Sequence, residues 1–149
     1  MKINYPAKAK KGTYRNLQKG VRALKTPQID TWENEYPDKD YWIEFTINEF
    51  TCICPKTGLP DFAEFRIRYV PDKECVELKS FKEYFMFYRD VGVFHEHVTN
   101  RILEDFVKAC RPRKAEITSE FNIRGGIKTR VSASYCRAGC DVDPYCPVL

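Results

Sequence analysis

Cys54 stands in the run Phe50-Thr-Cys-Ile-Cys-Pro-Lys-Thr-Gly-Leu-Pro-Asp61, and its setting is that of a thiol both held and accessible. The preceding residues alternate like a strand, and Pro55, Gly58 and Pro60 bend the next segment into a loop. A side chain at the end of a strand, entering a loop, is fixed on one side and open on the other. Lys56 would favour the thiolate, which is the reactive form of a group with reference pKa about 8.5. Asp61, across the bent loop, is placed to return toward the sulfur. The bland alternative is a small buried hydrophobe, and Cys52, two residues earlier, is the natural example.

A second group is Phe94-His95-Glu96-His97, at the start of a helical pattern. His95 and His97 are two apart, which on a helix points them about 200° from each other, so they do not form a metal pair. Glu96 either complements the helix dipole or accepts two parallel hydrogen bonds from the edge of a guanine-like base. A third group is Glu77-Leu-Lys-Ser-Phe-Lys-Glu-Tyr84. There Lys79 and Lys82, three apart beside a helix start, form a seat for phosphates. Charged surface helices produce the same spacing with no ligand. Cys136, Cys140 and Cys146 match no zinc spacing, and no histidine lies near them, so no metal is expected.

The elements that must position these groups are set by periodicity. Tyr41, Ile43, Phe45 and Ile47 alternate with polar residues as a half-buried strand. Phe65, Ile67 and Tyr69 do the same against Glu64, Arg66 and Arg68. Ser80 is read as the cap of a short helix through Tyr84 and Phe87, interrupted by Gly92. Val98, Ile102, Phe106 and Cys110 mark a longer helix that stops before Pro112. Alternation resumes from Ala115 to Ile123, turns at Gly125-Gly126 and continues from Ile127 to Ala133. The order strand, strand, helix, helix, strand, strand predicts an α+β fold, with an antiparallel sheet and both helices on one face. Apolar residues on both strand faces predict an exposed sheet face that oligomerisation would cover.

The chain has 149 residues and a net charge of +4, a size suited to one domain with a real core. Residues 1–39 read as a polar arm, 40–134 as the catalytic domain and 135–149 as a cysteine-containing tail. Residues 1–30 hold eight Lys or Arg and one acid, Asp30. Such an arm can touch nucleic acid, but it lacks the interleaved aromatics that stack bases, so a solvated leader is expected and no stable nucleic-acid partner. No run approaches the roughly 20 apolar residues of a membrane span. Seven cysteines is an odd count; without a secretory signal they read as thiols in a reducing, cytoplasmic compartment.

Taken together, the cysteine loop, Glu77-Leu-Lys-Ser-Phe-Lys-Glu-Tyr84, Phe94-His-Glu96 and Phe121-Asn-Ile-Arg-Gly-Gly126 closely resemble the unimodular NADPH-dependent 7-cyano-7-deazaguanine reductases of queuosine biosynthesis. The resemblance runs from about Asp40 to Ile127. It implies the tunnelling fold and a homo-oligomer of stacked rings with active sites at subunit boundaries. It implies that Cys54 attacks the nitrile carbon to give a thioimide, that Asp61 donates a proton, and that His95 assists. Glu96, Glu77 and Phe94 would bind the deazaguanine, and Lys79, Lys82 and Arg124 the phosphates of NADPH. Some relatives place at Val98 a cysteine able to pair with the nucleophile; here only Cys52 is near enough in sequence to substitute. Three rivals are an amidine-forming transferase of the same fold acting on transfer RNA, a non-catalytic purine- or RNA-binding module, and a zinc cyclohydrolase. The first lacks the lysine-bearing signature, the second needs neither Cys54 nor Asp61, and the third needs zinc ligands this sequence does not offer.

Overall fold

Alternation of apolar and polar residues over four long segments builds one antiparallel sheet. The computed structural model describes residues 20–139. The sheet comprises β2 (Ile43–Ile53), β3 (Pro60–Val70), β5 (Lys114–Arg124) and β6 (Ile127–Cys136), in that spatial order; a two-stranded sheet pairs β1 (Thr31–Glu33) with β4 (Glu74–Val76). Helices α1 (Leu78–Phe87) and α2 (His95–Cys110) lie between β4 and β5 in sequence. The strand, strand, helix, helix, strand, strand order of the main body is therefore the one periodicity predicts.

The core lies between the inner sheet face and the helices. Phe65, Ile67, Tyr69, Ile117 and Phe121 meet Phe81, Tyr84 and Phe85 of α1 and Val98, Ile102 and Phe106 of α2, all buried. Each large buried side chain contributes about 1.5–3 kcal/mol, and most of the aromatic pairs meet edge-on or tilted, as Tyr69 does Phe106 at 4.9 Å. Thr99 and Ser119 join α2 to β5 through a 2.7 Å hydroxyl contact inside this core.

Two irregularities re-aim side chains. Pairing of β2 with β3 slips by one residue between Ile47 and Phe50. Because strand periodicity is two, the extra residue keeps Phe50 and Cys52 on the inner face with Ile47. A second slip, between Phe121 and Arg124 in β5, precedes the tight turn at Gly125-Gly126. Both glycines there have positive φ, +57° and +80°, which an L side chain rarely adopts.

Three expectations need correction. The uncovered sheet face is largely polar rather than apolar: Arg66 pairs with Glu64, Arg68 with Glu116, and Lys128 and Arg130 with Glu120. It thus supplies little apolar reason for oligomerisation. Ser80 does not cap α1. Glu77 does, its carboxylate accepting from the N–H groups of Lys79 (2.8 Å) and Ser80 (2.7 Å), while Ser80 donates back to the Glu77 carbonyl. Residues 20–34, expected within a solvated arm, pack on the domain. Ile29 and Asn34 are buried, and Arg101 of α2 donates to the carbonyls of Val21 and Leu24. The earlier part of the basic arm, with Cys140 and Cys146, lies outside the described residues. Cys136 is the last residue of β6, opposite Lys114.

Candidate active site

The end of β2 brings the cysteine loop and the start of α2 together. Beyond its pairing with β3, Ile53 donates to Val91 (2.9 Å) and accepts from Val93 (3.1 Å). These bonds dock residues 91–93 beside β2, so Phe94, His95 and Glu96 begin their helix next to Cys54. The Cys52 thiol points inward and donates to the Val93 carbonyl at 3.9 Å. Burial, with the Asp61 charge second, pushes it up to about 12, so Cys52 is an inert packing residue.

Cys54 is partly exposed at the neck of a closed turn. Its N–H donates to the Leu59 carbonyl and its carbonyl accepts from Gly58, both at 2.9 Å; Gly58 takes the positive φ that the closure requires, +68°. Partial burial acts to raise the Cys54 thiol. Hydrogen bonds from the Thr57 hydroxyl and from the N–H groups of Thr57 and Lys56 outweigh it, so the thiol titrates below its ordinary range despite the opposing charge of Asp61. Sequence points to the Lys56 ammonium, whereas the donors that matter here are main-chain N–H groups and Thr57, which sequence does not single out. The signal for Thr57 is a threonine followed two residues later by an N–H its side chain can bind, a common turn pattern.

Asp61 faces inward from β3, opposite Cys52 in register, and is 3% exposed. Both its oxygens are engaged. Oδ2 lies 3.2 Å from His95 Nε2, and Oδ1 accepts from Arg124. The His95 ring lies flat on Phe121, centroids 3.5 Å apart and planes 6° from parallel. A carboxylate bridging an imidazole and a guanidinium, beside a thiol disposed to ionise, can support nucleophilic addition with proton transfer to the product. Glu96 exposes its carboxylate in the first turn of the same helix, and Phe94 precedes it. The Phe94 ring meets that of His97, centroids 6.2 Å apart.

Cys54, Asp61 and His95 are thus brought together, with Phe94 and Glu96 on either side of His95 in sequence. Arg124 is too, but turned onto Asp61 rather than toward a separate phosphate seat. Glu77, Lys79 and Lys82 stand elsewhere, on α1, and the Glu77 carboxylate is occupied as the helix cap. Lys82 lines a groove between β2 and α1 with Arg89, Leu78, Phe81, Phe85 and Met86; Cys54, Asp61 and His95 have no part in its walls. Its two cations share the walls with two carboxylates, Glu44 and Glu49, beside exposed Leu78 and Met86. Among the described residues no group of three His, Cys, Asp or Glu side chains is placed to hold a metal ion, and no helix is long and apolar enough to cross a membrane.

A family model described as QueF-like protein matches residues 60–139. The chain is 54% identical over 114 residues to the NADPH-dependent 7-cyano-7-deazaguanine reductase of Nitrosococcus oceani, covering 76% of this chain and 88% of that one. It is 53% identical over 122 residues to the enzyme of the same name from Nitrosomonas europaea, covering 82% and 86%. The crystal structure of the archaeosine synthase QueF-Like in the apo form superposes with a TM-score of 0.59 at 22% identity, over 62% of this chain and 91% of that one. That likeness bears on the fold, which is the α+β tunnelling fold.

Proposed function

Because the chain belongs to the QueF-like protein family, we propose that it is an NADPH-dependent oxidoreductase that reduces the nitrile of 7-cyano-7-deazaguanine to the primary amine, 7-aminomethyl-7-deazaguanine. The observation that carries this reading is identity above half, across most of both chains, to enzymes named for that reaction. The chemistry at Cys54 supports it.

In the proposed mechanism Cys54 attacks the nitrile carbon as the thiolate, and the nitrogen takes up a proton, giving a covalent thioimide. Asp61 and His95, whose Oδ2 and Nε2 lie 3.2 Å apart, deliver that proton and those of the later steps. Glu96 accepts from the pyrimidine edge of the base, and Phe94 packs on its face. Glu77, whose carboxylate caps α1, reaches the base only if ligand binding releases that cap. NADPH, when bound, supplies the hydride. Lys79 and Lys82 hold its phosphates, and Arg124 can join them only by letting go of Asp61. Since the Lys82 groove and the Cys54 cluster are separate on one chain, we place the complete site at a boundary between subunits of a ring-shaped homo-oligomer. The setting we propose is cytoplasmic, in the queuosine modification of transfer RNA.

The test is a titration of purified protein with 7-cyano-7-deazaguanine and NADPH, following the cofactor absorbance. Reduction of a nitrile to an amine consumes two NADPH for each nitrile. Amidine formation would consume none and a binding module would leave both reagents intact; either outcome overturns the reading.

A further inference from the structure

The first turn of α2, which carries His95, has no side-chain cap, since Phe94 at its N-cap offers no acceptor. What fixes that turn lies on β5. Thr99, one turn beyond His95, donates its hydroxyl proton to the His95 carbonyl at 2.8 Å. The proton shared at 2.7 Å between the Thr99 and Ser119 hydroxyls therefore comes from Ser119. Both residues are fully buried, and Ser119 lies opposite Phe65 and Val131 in register. A hydroxyl in such surroundings is costly without a partner, so each holds the other in place. Two residues along the same face of β5, Phe121 carries the His95 ring, 3.5 Å away and 6° from parallel.

The two contacts match in span. Four helical residues rise about 6 Å, and two strand residues advance about 6.6 Å. His95 over Phe121 and Thr99 on Ser119 are thus the two ends of one attachment, which fixes both the height and the rotation of α2 on β5. From this geometry we propose that Thr99 and Ser119 are positioning residues, whose buried hydroxyl pair sets the His95 ring flat on Phe121 and its Nε2 at Asp61. Two methyl groups would fill the same space without preferring one register, whereas hydroxyls are directional and hold a single one. That the reaction needs His95 so placed rests on the nitrile-reductase reading; the placement itself does not.

The placement is read by nuclear magnetic resonance of the histidine-labelled protein, with neither nitrile nor cofactor added. An aromatic ring shields nuclei above its face, so the His95 ring resonances lie upfield while the stack holds. His95 and His97 are the only histidines, and a His97→Gln sample assigns them. Spectra from about pH 5 to about 9 give the plateaus of both imidazole forms, and comparing plateaus keeps a change of midpoint from being mistaken for a movement. The charged groups facing the ring, Asp61 with its partner Arg124, are unchanged throughout. Thr99→Val and Ser119→Ala are expected to move the His95 plateaus downfield, and Thr99→Ser to return them, since it keeps the hydroxyl. In turnover the first two should lower kcat roughly 10- to 100-fold with KM for NADPH held. Should the lone hydroxyl left in Thr99→Val unfold the protein, Thr99→Val combined with Ser119→Ala removes both partners at little cost in stability and carries the same expectation. Folded hydroxyl-free variants whose His95 plateaus stay in place, or a Thr99→Ser protein displaced as far as Thr99→Val, would overturn the assignment. Displaced plateaus with undiminished turnover would instead remove His95 from the reaction, a failure of the reading and not of the placement.

Discussion

His95 Nε2 lies 3.2 Å from Asp61 Oδ2, and that contact joins the start of α2 to the inner face of β3 at the point where Cys54 leaves β2. The ring is held flat on Phe121, while Thr99, one turn on, donates to the His95 carbonyl and meets Ser119. The histidine therefore has little freedom to turn from the carboxylate.

Replacing Asp61 should separate thiol ionisation from turnover. The Asp61 charge disfavours the Cys54 thiolate, so Asp61→Asn is expected to lower the pH midpoint of Cys54 alkylation. The same change removes the carboxylate that faces His95 at 3.2 Å, the proposed proton donor, and should cost on the order of 10²- to 10⁴-fold in turnover. Alkylation rates against pH, measured beside NADPH consumption, check both. A midpoint that rises would contradict the arrangement.

Glu96→Gln tests base recognition. If the carboxylate accepts two donors from the substrate, the amide presents an N–H to one of them, a loss of about 2–4 kcal/mol. Catalytic efficiency should then fall roughly 30-fold to 1,000-fold with melting temperature nearly unchanged. If Glu96 only complements the helix dipole, stability falls by about 0.3–1 kcal/mol and turnover persists.

Lys82→Ala should weaken NADPH by about tenfold, the order expected for one charge-assisted hydrogen bond. Reaction of Cys54 with the nitrile should proceed at the wild-type rate, because the Lys82 groove excludes the Cys54 cluster. Separate titrations of the two ligands decide the matter. Loss of nitrile capture with normal NADPH binding would reverse the map.

Arg101 carries a structural prediction. Its guanidinium pairs with Asp105 at 2.8 Å and holds the carbonyls of Val21 and Leu24, and Asp105 also accepts from Tyr84 at 2.8 Å. Arg101→Met leaves the half-buried Asp105 carboxylate without its cation, at an expected cost of about 2–4 kcal/mol in urea unfolding. Activity per folded molecule should hold.

Periodicity makes the long elements legible, because β2, β3, β5, β6 and α2 each repeat their pattern several times. β1 and β4 are not, since three residues carry no period, and their pairing depends on contacts between residues far apart in sequence, such as Thr31 with Val76. The one-residue slip near Phe50 adds a residue without changing composition, so it leaves no mark in sequence. Serine outranks glutamate as a helix cap by statistics, which explains the misplaced start of α1; Glu77 and Ser80 exchange the usual roles. Cys54 and Asp61 are legible because their loop joins two strand ends, whereas His95 is legible only through the family resemblance. The orientation of Arg124 is not, because two turn glycines and a strand irregularity set it.

Cys54 is proposed to form a covalent bond to the nitrile carbon. Intact-protein mass spectrometry after incubation with 7-cyano-7-deazaguanine, without NADPH, measures it directly. The expected result is a gain of one substrate mass, mapped to the Cys54 peptide, discharged to amine when NADPH is added and absent from Cys54→Ala. A Cys54→Ala protein that still gains the substrate mass, or still consumes NADPH at the wild-type rate, would contradict it.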